Sequence, residues 1–223
     1  MQQSSDDLRA VYRERFSQSQ EYRNRVWKIL ATEFFQRWIV PDAVVLDLGC
    51  GYGQFINNIV AGRRLAMDLN PDSRLHLRDS VEFLHHDSAL PWPIGDETLD
   101  VVFTSNFLEH LPSKQHVQLT VREARRCLKP GGTFIAIGPN IRYLPGAYWD
   151  FFDHHTPLSD RSLAELMRLE KLTVKTVVPR FLPYTLIGSP EYPIFLLRIY
   201  LSAKCLWWIK GRQFLVIACR PPC

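Results

Sequence analysis

Three glycines at alternate positions, Gly49, Gly51 and Gly53, follow Val44-Val45-Leu46-Asp47-Leu48 and constrain this chain more than any other stretch. The run before them is short, apolar and rich in β-branched residues, which suits a strand buried on both faces. Glycine lets the backbone turn sharply and approach a ligand where a Cβ would collide. Phe55 to Val60 reads as a helix, so strand, turn and helix open a nucleotide-binding βαβ unit. Two cofactors compete for such a turn. A dinucleotide fingerprint has the form G-x-G-x-x-G, and here Gln54 stands where the third glycine belongs. That substitution weakens a nicotinamide-dependent oxidoreductase. The spacing is G-x-G-x-G, with acidic Asp47 two residues before it.

This pattern resembles the first motif of the class I S-adenosylmethionine (SAM)-dependent methyltransferases, acidic-x-G-x-G-x-G. The resemblance implies SAM as cofactor, with Asp47, Gly49, Cys50, Gly51 and Gly53 around it. Further matches follow in order. Arg64 to Pro71 reads as the second strand and its turn, and Asp68 stands where an acid can accept hydrogen bonds from ribose hydroxyls. The resemblance gives Asp68 that role and sets Leu69 against adenine. After a third strand, Val81 to His86, it assigns Asp87 to the adenine amino group and the backbone N–H of Ser88 to the ring. Leu99 to Asn106 reads as the fourth strand. Its tail, S-N-F-L-E-H-L, resembles the fourth motif of the type 11 methyltransferases and implies Ser105 and Asn106 at the sulfonium end. Lys129-Pro130-Gly131-Gly132 before a fifth strand, Thr133 to Ile137, is another frequent class I feature.

Strands and helices therefore alternate in the order of an α/β fold, a doubly wound, mostly parallel seven-stranded Rossmann-like sheet. Leu172 to Val178 and Gln213 to Cys219 supply strands six and seven, and the resemblance makes the seventh antiparallel, beside the fifth. One domain spans 1–223: an N-terminal helical cover (1–40), a cofactor-binding core (41–178), a helical insertion (179–212), and a last strand and tail (213–223). Apolar periodicity predicts the cover helix over residues 8–38, where Arg13, Arg15, Arg23 and Arg25 are candidates for the methionyl carboxylate. The insertion holds one predicted helix, Pro193 to Lys210, apolar almost all round. It suits a lid over the substrate, a homodimer contact or a shallow membrane-surface contact with tryptophan and lysine anchors.

Composition excludes some classes. The net charge of +4 permits acidic substrates or a membrane surface and demands neither. Five widely spaced cysteines without a C-x-x-C pair argue against a disulfide framework or zinc site and for a reducing cytosol. Met1 to Arg15 lacks the apolar core of a signal peptide, and no run approaches the ~20 apolar residues of a membrane span. The expectation is a soluble, cytoplasmic protein.

The acceptor side is read from the aromatic stretch Tyr143, Tyr148, Trp149, Phe151 and Phe152, which leaves the carboxyl end of the fifth strand. It forms either a buried plug or an apolar pocket. His154 and His155, with Asp153, are the foremost general-base candidates, and His110 is a third. His85 and His86 lack a third metal ligand at a recognisable spacing, so no metal is expected. No nucleic-acid module is evident. The expected activity is methylation of a small-molecule or lipid- or sugar-linked acceptor, with O-methylation ahead of N- or C-methylation. A SAM-binding scaffold or cyclase-like protein is the alternative from another class.

Overall fold

The computed structural model describes residues 20–184 and 191–222. Its centre is a seven-stranded sheet in the order β3-β2-β1-β4-β5-β7-β6. The strands are β1 (Val44–Leu48), β2 (Arg63–Asp68), β3 (Glu82–His85), β4 (Leu99–Ser105), β5 (Leu128–Pro139), β6 (Thr173–Val178) and β7 (Gln213–Cys219). β1 to β5 pair in parallel, and β7 runs antiparallel between β5 and β6.

Alternation along β1 assigns its side chains to two cores. Leu46 and Leu48 face a cluster with Val102, Phe134, Val117, Val121, Leu163 and Met167. Val45 faces the other side, with Phe55, Phe103, Phe181 and Trp207. The first face is covered by α2 (Lys114–Cys127) and α3 (Asp160–Leu169). Ser113 caps α2 by accepting the His116 N–H, and Ser159 and Ser162 close a reciprocal capping box on α3.

The second face carries α1 (Gln20–Ile29), which continues through a π turn (Leu30–Phe34) and a 3₁₀ turn (Phe35–Trp38). The predicted cover helix is helical from Gln20 onward; Arg13 and Arg15 lie outside the described residues. Phe103 anchors this layer, stacked on Phe55 with ring centroids 3.6 Å apart and meeting Phe35 edge-on.

Two local expectations are corrected. Phe55 to Val60 forms consecutive turns, not a helix. Asn57 and Asn58 take up main-chain groups with their amides: Asn57 accepts the Arg78 N–H and donates to His76 O, and Asn58 donates to Gln54 O. Asparagine competes with helical hydrogen bonding in this way. The helix expected over Pro193 to Lys210 is two short ones, α4 (Phe195–Ser202) and α5 (Lys204–Lys210), broken at Ala203 (φ −96°, ψ 83°).

The break lets α5 fold back. Trp207 packs on Phe34 and Phe181 and donates its indole N–H to Tyr200 O, while Trp208 is 61% exposed. The two tryptophans should therefore separate in denaturant melts. Trp207→Ala is expected to cost about 3–5 kcal/mol and Trp208→Ala less than about 0.5 kcal/mol. Equal losses would mean that α5 packs differently. No helix among the described residues is long and apolar enough to cross a membrane.

Candidate cofactor and acceptor site

The glycine turn leaves β1 at the carboxyl edge of the sheet, where ligands of open α/β sheets bind. All three glycines have positive φ, 69° at Gly49, 49° at Gly51 and 64° at Gly53, which side chains rarely adopt. Their surroundings differ. A Cβ on Gly49 would lie 2.2 Å from the Phe107 ring and one on Gly53 would lie 2.3 Å from Leu77, whereas one on Gly51 meets no atom within 4 Å. Gly49 and Gly53 are thus required by packing, and Gly51 is the position where the turn opens outward.

Gly51 donates its N–H to Asp68 Oδ2 at 2.8 Å, and Asn70 donates to Oδ1 at 2.8 Å. One carboxylate at the end of β2 thereby clamps the turn to the neighbouring strand. With the Leu69 N–H as a third donor, the carboxylate keeps lone-pair capacity for about one hydroxyl. Burial raises the Asp68 carboxyl above the usual range, and its backbone donors and the charge of His110 oppose that rise. Asp47 shares the face of Val45, is nearly inaccessible, and accepts the Ile56 N–H. Desolvation pushes its carboxyl up to about 8, helped by the nearby Asp68. Burial likewise raises the Cys50 thiol, which is therefore inert.

Around this clamp, Leu69 is 64% exposed, as an apolar surface for a flat ring would be. Asp87 follows β3 and accepts the Ala89 N–H on Oδ1. Ser88 is buried and its hydroxyl is bonded with Thr120, so only its main chain is available to a ligand. Ser105 ends β4 and Asn106 follows it, joined by an Asn106 amide to Ser105 Oγ bond of 3.2 Å; Asn106 holds φ at 50°. Strained backbone of this kind gathers at functional sites. Arg25 pairs with Glu191 at 3.6 Å and, with Tyr52, Gln54, His76 and Arg78, lines a polar cleft of about 460 Å³ beside the turn.

The aromatic stretch closes on itself around one histidine. His154 lies against Tyr148 with ring centroids 4.1 Å apart, and Phe151, Trp149 and His110 surround it. His154 Nδ1 is 2.6 Å from Tyr148 O. His110 Nδ1 is 2.9 Å from Asp153 O and 3.5 Å from Asp153 Oδ2. His110, Asp153 and His154 thus form one cluster, whereas His155 is exposed and set beside Phe152.

Glu109 was missed by sequence reasoning, which singled out only the neighbouring His110. It is 1% exposed, and its carboxyl accepts the Tyr148 hydroxyl at 2.8 Å. Its carbonyl accepts the N–H groups of His155 and Thr156. Burial raises the Glu109 carboxyl and the Tyr148 phenol, so the tyrosine remains a donor. Glu109 therefore fastens the aromatic loop at two points. The adjacency to His110 was the one signal available.

A glycine turn clamped to an acid at the end of the next strand defines a nucleoside-binding Rossmann-like protein. The antiparallel β7 between β5 and β6 departs from the strand order 3-2-1-4-5-6 of the dinucleotide fold. Comparison with known proteins narrows the class. The family model Methyltransf_11, a methyltransferase domain, matches residues 46–136. A Mycolicibacterium smegmatis protein named "Probable S-adenosylmethionine-dependent methyltransferase" is 30% identical over 143 residues, which cover 61% of this chain and 54% of that protein. Ribosomal RNA large subunit methyltransferase E of Cellvibrio japonicus is 30% identical over 141 residues, 54% of this chain and 65% of the relative. This chain thus spans between half and two-thirds of the length of these two curated relatives. In fold, it is similar to a SAM-dependent methyltransferase of Archaeoglobus fulgidus, with a TM-score of 0.67 at 18% identity over 94% of this chain and 98% of that one. This chain is thus similar to SAM-dependent methyltransferases, in sequence over residues 46–136 and in fold over nearly all of its length.

Proposed function

We propose that this protein binds SAM in the glycine turn and transfers its methyl group to a hydroxyl of a small-molecule or lipid- or sugar-linked acceptor. The observation that carries this reading is the convergence of two groups at one end of the sheet. The Gly51–Asp68 clamp opens outward there, and His110 of the His110–Asp153–His154 cluster stands in the turn that follows β4 at the same end.

The turn and its surroundings fit the cofactor. Gly51 offers close backbone approach, Asp68 the ribose hydroxyls' acceptor, Leu69 an apolar face, and Asp87 with the Ser88 main chain the adenine contacts. Asp47, Cys50, Ser105 and Asn106 border the remaining length. SAM supplies a methyl carbon activated by a sulfonium. In transfer, the carbon–sulfur bond breaks, its electron pair stays on sulfur, and a carbon–oxygen bond forms in line. The acceptor's proton passes to the histidine–aspartate cluster, the step that a hydroxyl acceptor needs and that supports O-methylation. The rings packed about His154 offer apolar faces that suit an apolar acceptor body.

Calorimetry with SAM, its demethylated product and NAD tests the cofactor. SAM and the product should bind and NAD should not, and Asp68→Ala should weaken SAM by about 1–3 kcal/mol. Burial, which pushes the Asp47 carboxyl up to about 8, holds it toward its protonated form, and a cationic ligand favours its carboxylate. SAM binding below pH 8 should therefore release a proton, so the measured heat should vary with buffer ionisation enthalpy. Methyl-labelled SAM with metabolite, lipid and RNA fractions tests the acceptor; label confined to RNA would refute the acceptor class proposed here.

A further inference from the structure

We propose that His110, Asp153 and His154 form a site for one divalent transition-metal cation of the zinc class. One ligand-capable atom from each lies within 4.8 Å of the others. Metal–ligand bonds of about 2.0–2.2 Å set tetrahedral ligands roughly 3.3–3.6 Å apart, so small side-chain rotations close the set. Two imidazoles and a carboxylate suit zinc, cobalt or ferrous iron, whereas magnesium and calcium prefer oxygen alone.

Ring orientation is the second observation. His110 Nδ1 lies 2.9 Å from Asp153 O, and His154 Nδ1 lies 2.6 Å from Tyr148 O. A carbonyl only accepts, so each Nδ1 carries the proton and each lone pair is on Nε2. Metal-binding histidines are held by this type of outer hydrogen bond. The third observation is bracing. Tyr148, whose carbonyl orients His154, is itself held by the buried Glu109, and the main chain after Asp153 and His154 is bonded to Glu109 O. The loop that carries Asp153 and His154 is therefore fastened before any cation arrives.

Three protein ligands leave a coordination position open, as in catalytic zinc sites. The cation and an acceptor's proton would use the same lone pairs, so the metal-bound and proton-accepting states exclude each other; the binding of the cation does not rest on the methyl-transfer reading. His110 and Asp153 stand 43 residues apart, beyond the reach of a spacing rule.

The test uses the full chain carrying Cys205→Ser, which removes an exposed competing thiol. Cobalt(II) is titrated by visible absorption, with zinc as competitor and SAM calorimetry on the same samples. One cobalt per chain is expected, displaced stoichiometrically by zinc. Affinity should fall at least ~100-fold in Asp153→Asn, which preserves shape, and in His154→Ala. Absence of saturable binding, or binding unchanged in both variants, overturns the site. If His154→Ala fails to fold, Asp153→Asn alone decides. Cobalt binding without SAM binding would sustain the metal site and sink the methyl-transfer reading; SAM binding without cobalt binding would do the reverse.

Discussion

Gly51→Ala is expected to abolish SAM binding while costing the fold only about 1–2 kcal/mol, the penalty of a side chain at left-handed φ. A Cβ there meets no protein atom, so its cost falls on whatever approaches from outside. Gly49→Ala should behave oppositely. Its Cβ would stand 2.2 Å from the Phe107 ring, adding an overpacking cost of about 1–3 kcal/mol to the same backbone penalty. Chemical denaturation should show the larger loss at Gly49, and calorimetry the cleaner loss of ligand at Gly51. Wild-type SAM affinity in Gly51→Ala would mean that the cofactor does not approach this turn.

Turnover should fall by ~10²–10⁴-fold in His110→Gln and in Asp153→Asn, with SAM affinity unchanged. Asp153 touches His110 through both its carbonyl and its carboxylate, so Asn should misorient the imidazole without emptying its place. His155→Gln is the internal control: its ring is exposed and apart from the cluster, and its main-chain bond to Glu109 survives substitution. Single-turnover methylation of an identified acceptor measures all three. A loss confined to His155→Gln would reassign the proton acceptor.

β1 and β4 were legible because each is a short apolar run that a parallel sheet buries on both sides. β7 lies where its pattern put it, at Gln213–Cys219, and β6 begins one residue later than expected. The glycine turn was legible because only glycine tolerates those torsions beside Phe107 and Leu77. Phe55 to Val60 was misread because apolar spacing ignores Asn57, whose amide bonds main-chain groups 19 and 21 residues away, and Asn58, whose amide takes Gln54 O. The break at Ala203 was illegible for a related reason. Trp207 gains more by packing on Phe34 and Phe181 than a straight helix would allow, and those partners are distant in sequence. Glu109 with Tyr148, and His110 with Asp153, meet only because the loop after β5 returns over β4. Such pairings leave no periodic trace.

The placement of β7 also dictates an order of assembly. β6 bonds to no strand except β7, and the β6–β7 pair joins the rest of the sheet only through β5. The strands that position Gly51, Asp68 and Asn106 can pair as soon as β5 exists, leaving β5 with one bare edge. That edge stays open while residues 140–212 emerge from the ribosome, a long exposure for an apolar strand. The acceptor side waits longer, since Asn140, at the root of the aromatic loop, bonds to Pro179 O and Arg212 O. A nascent chain would thus hold the cofactor's half of the sheet before the loop that carries His154 is anchored.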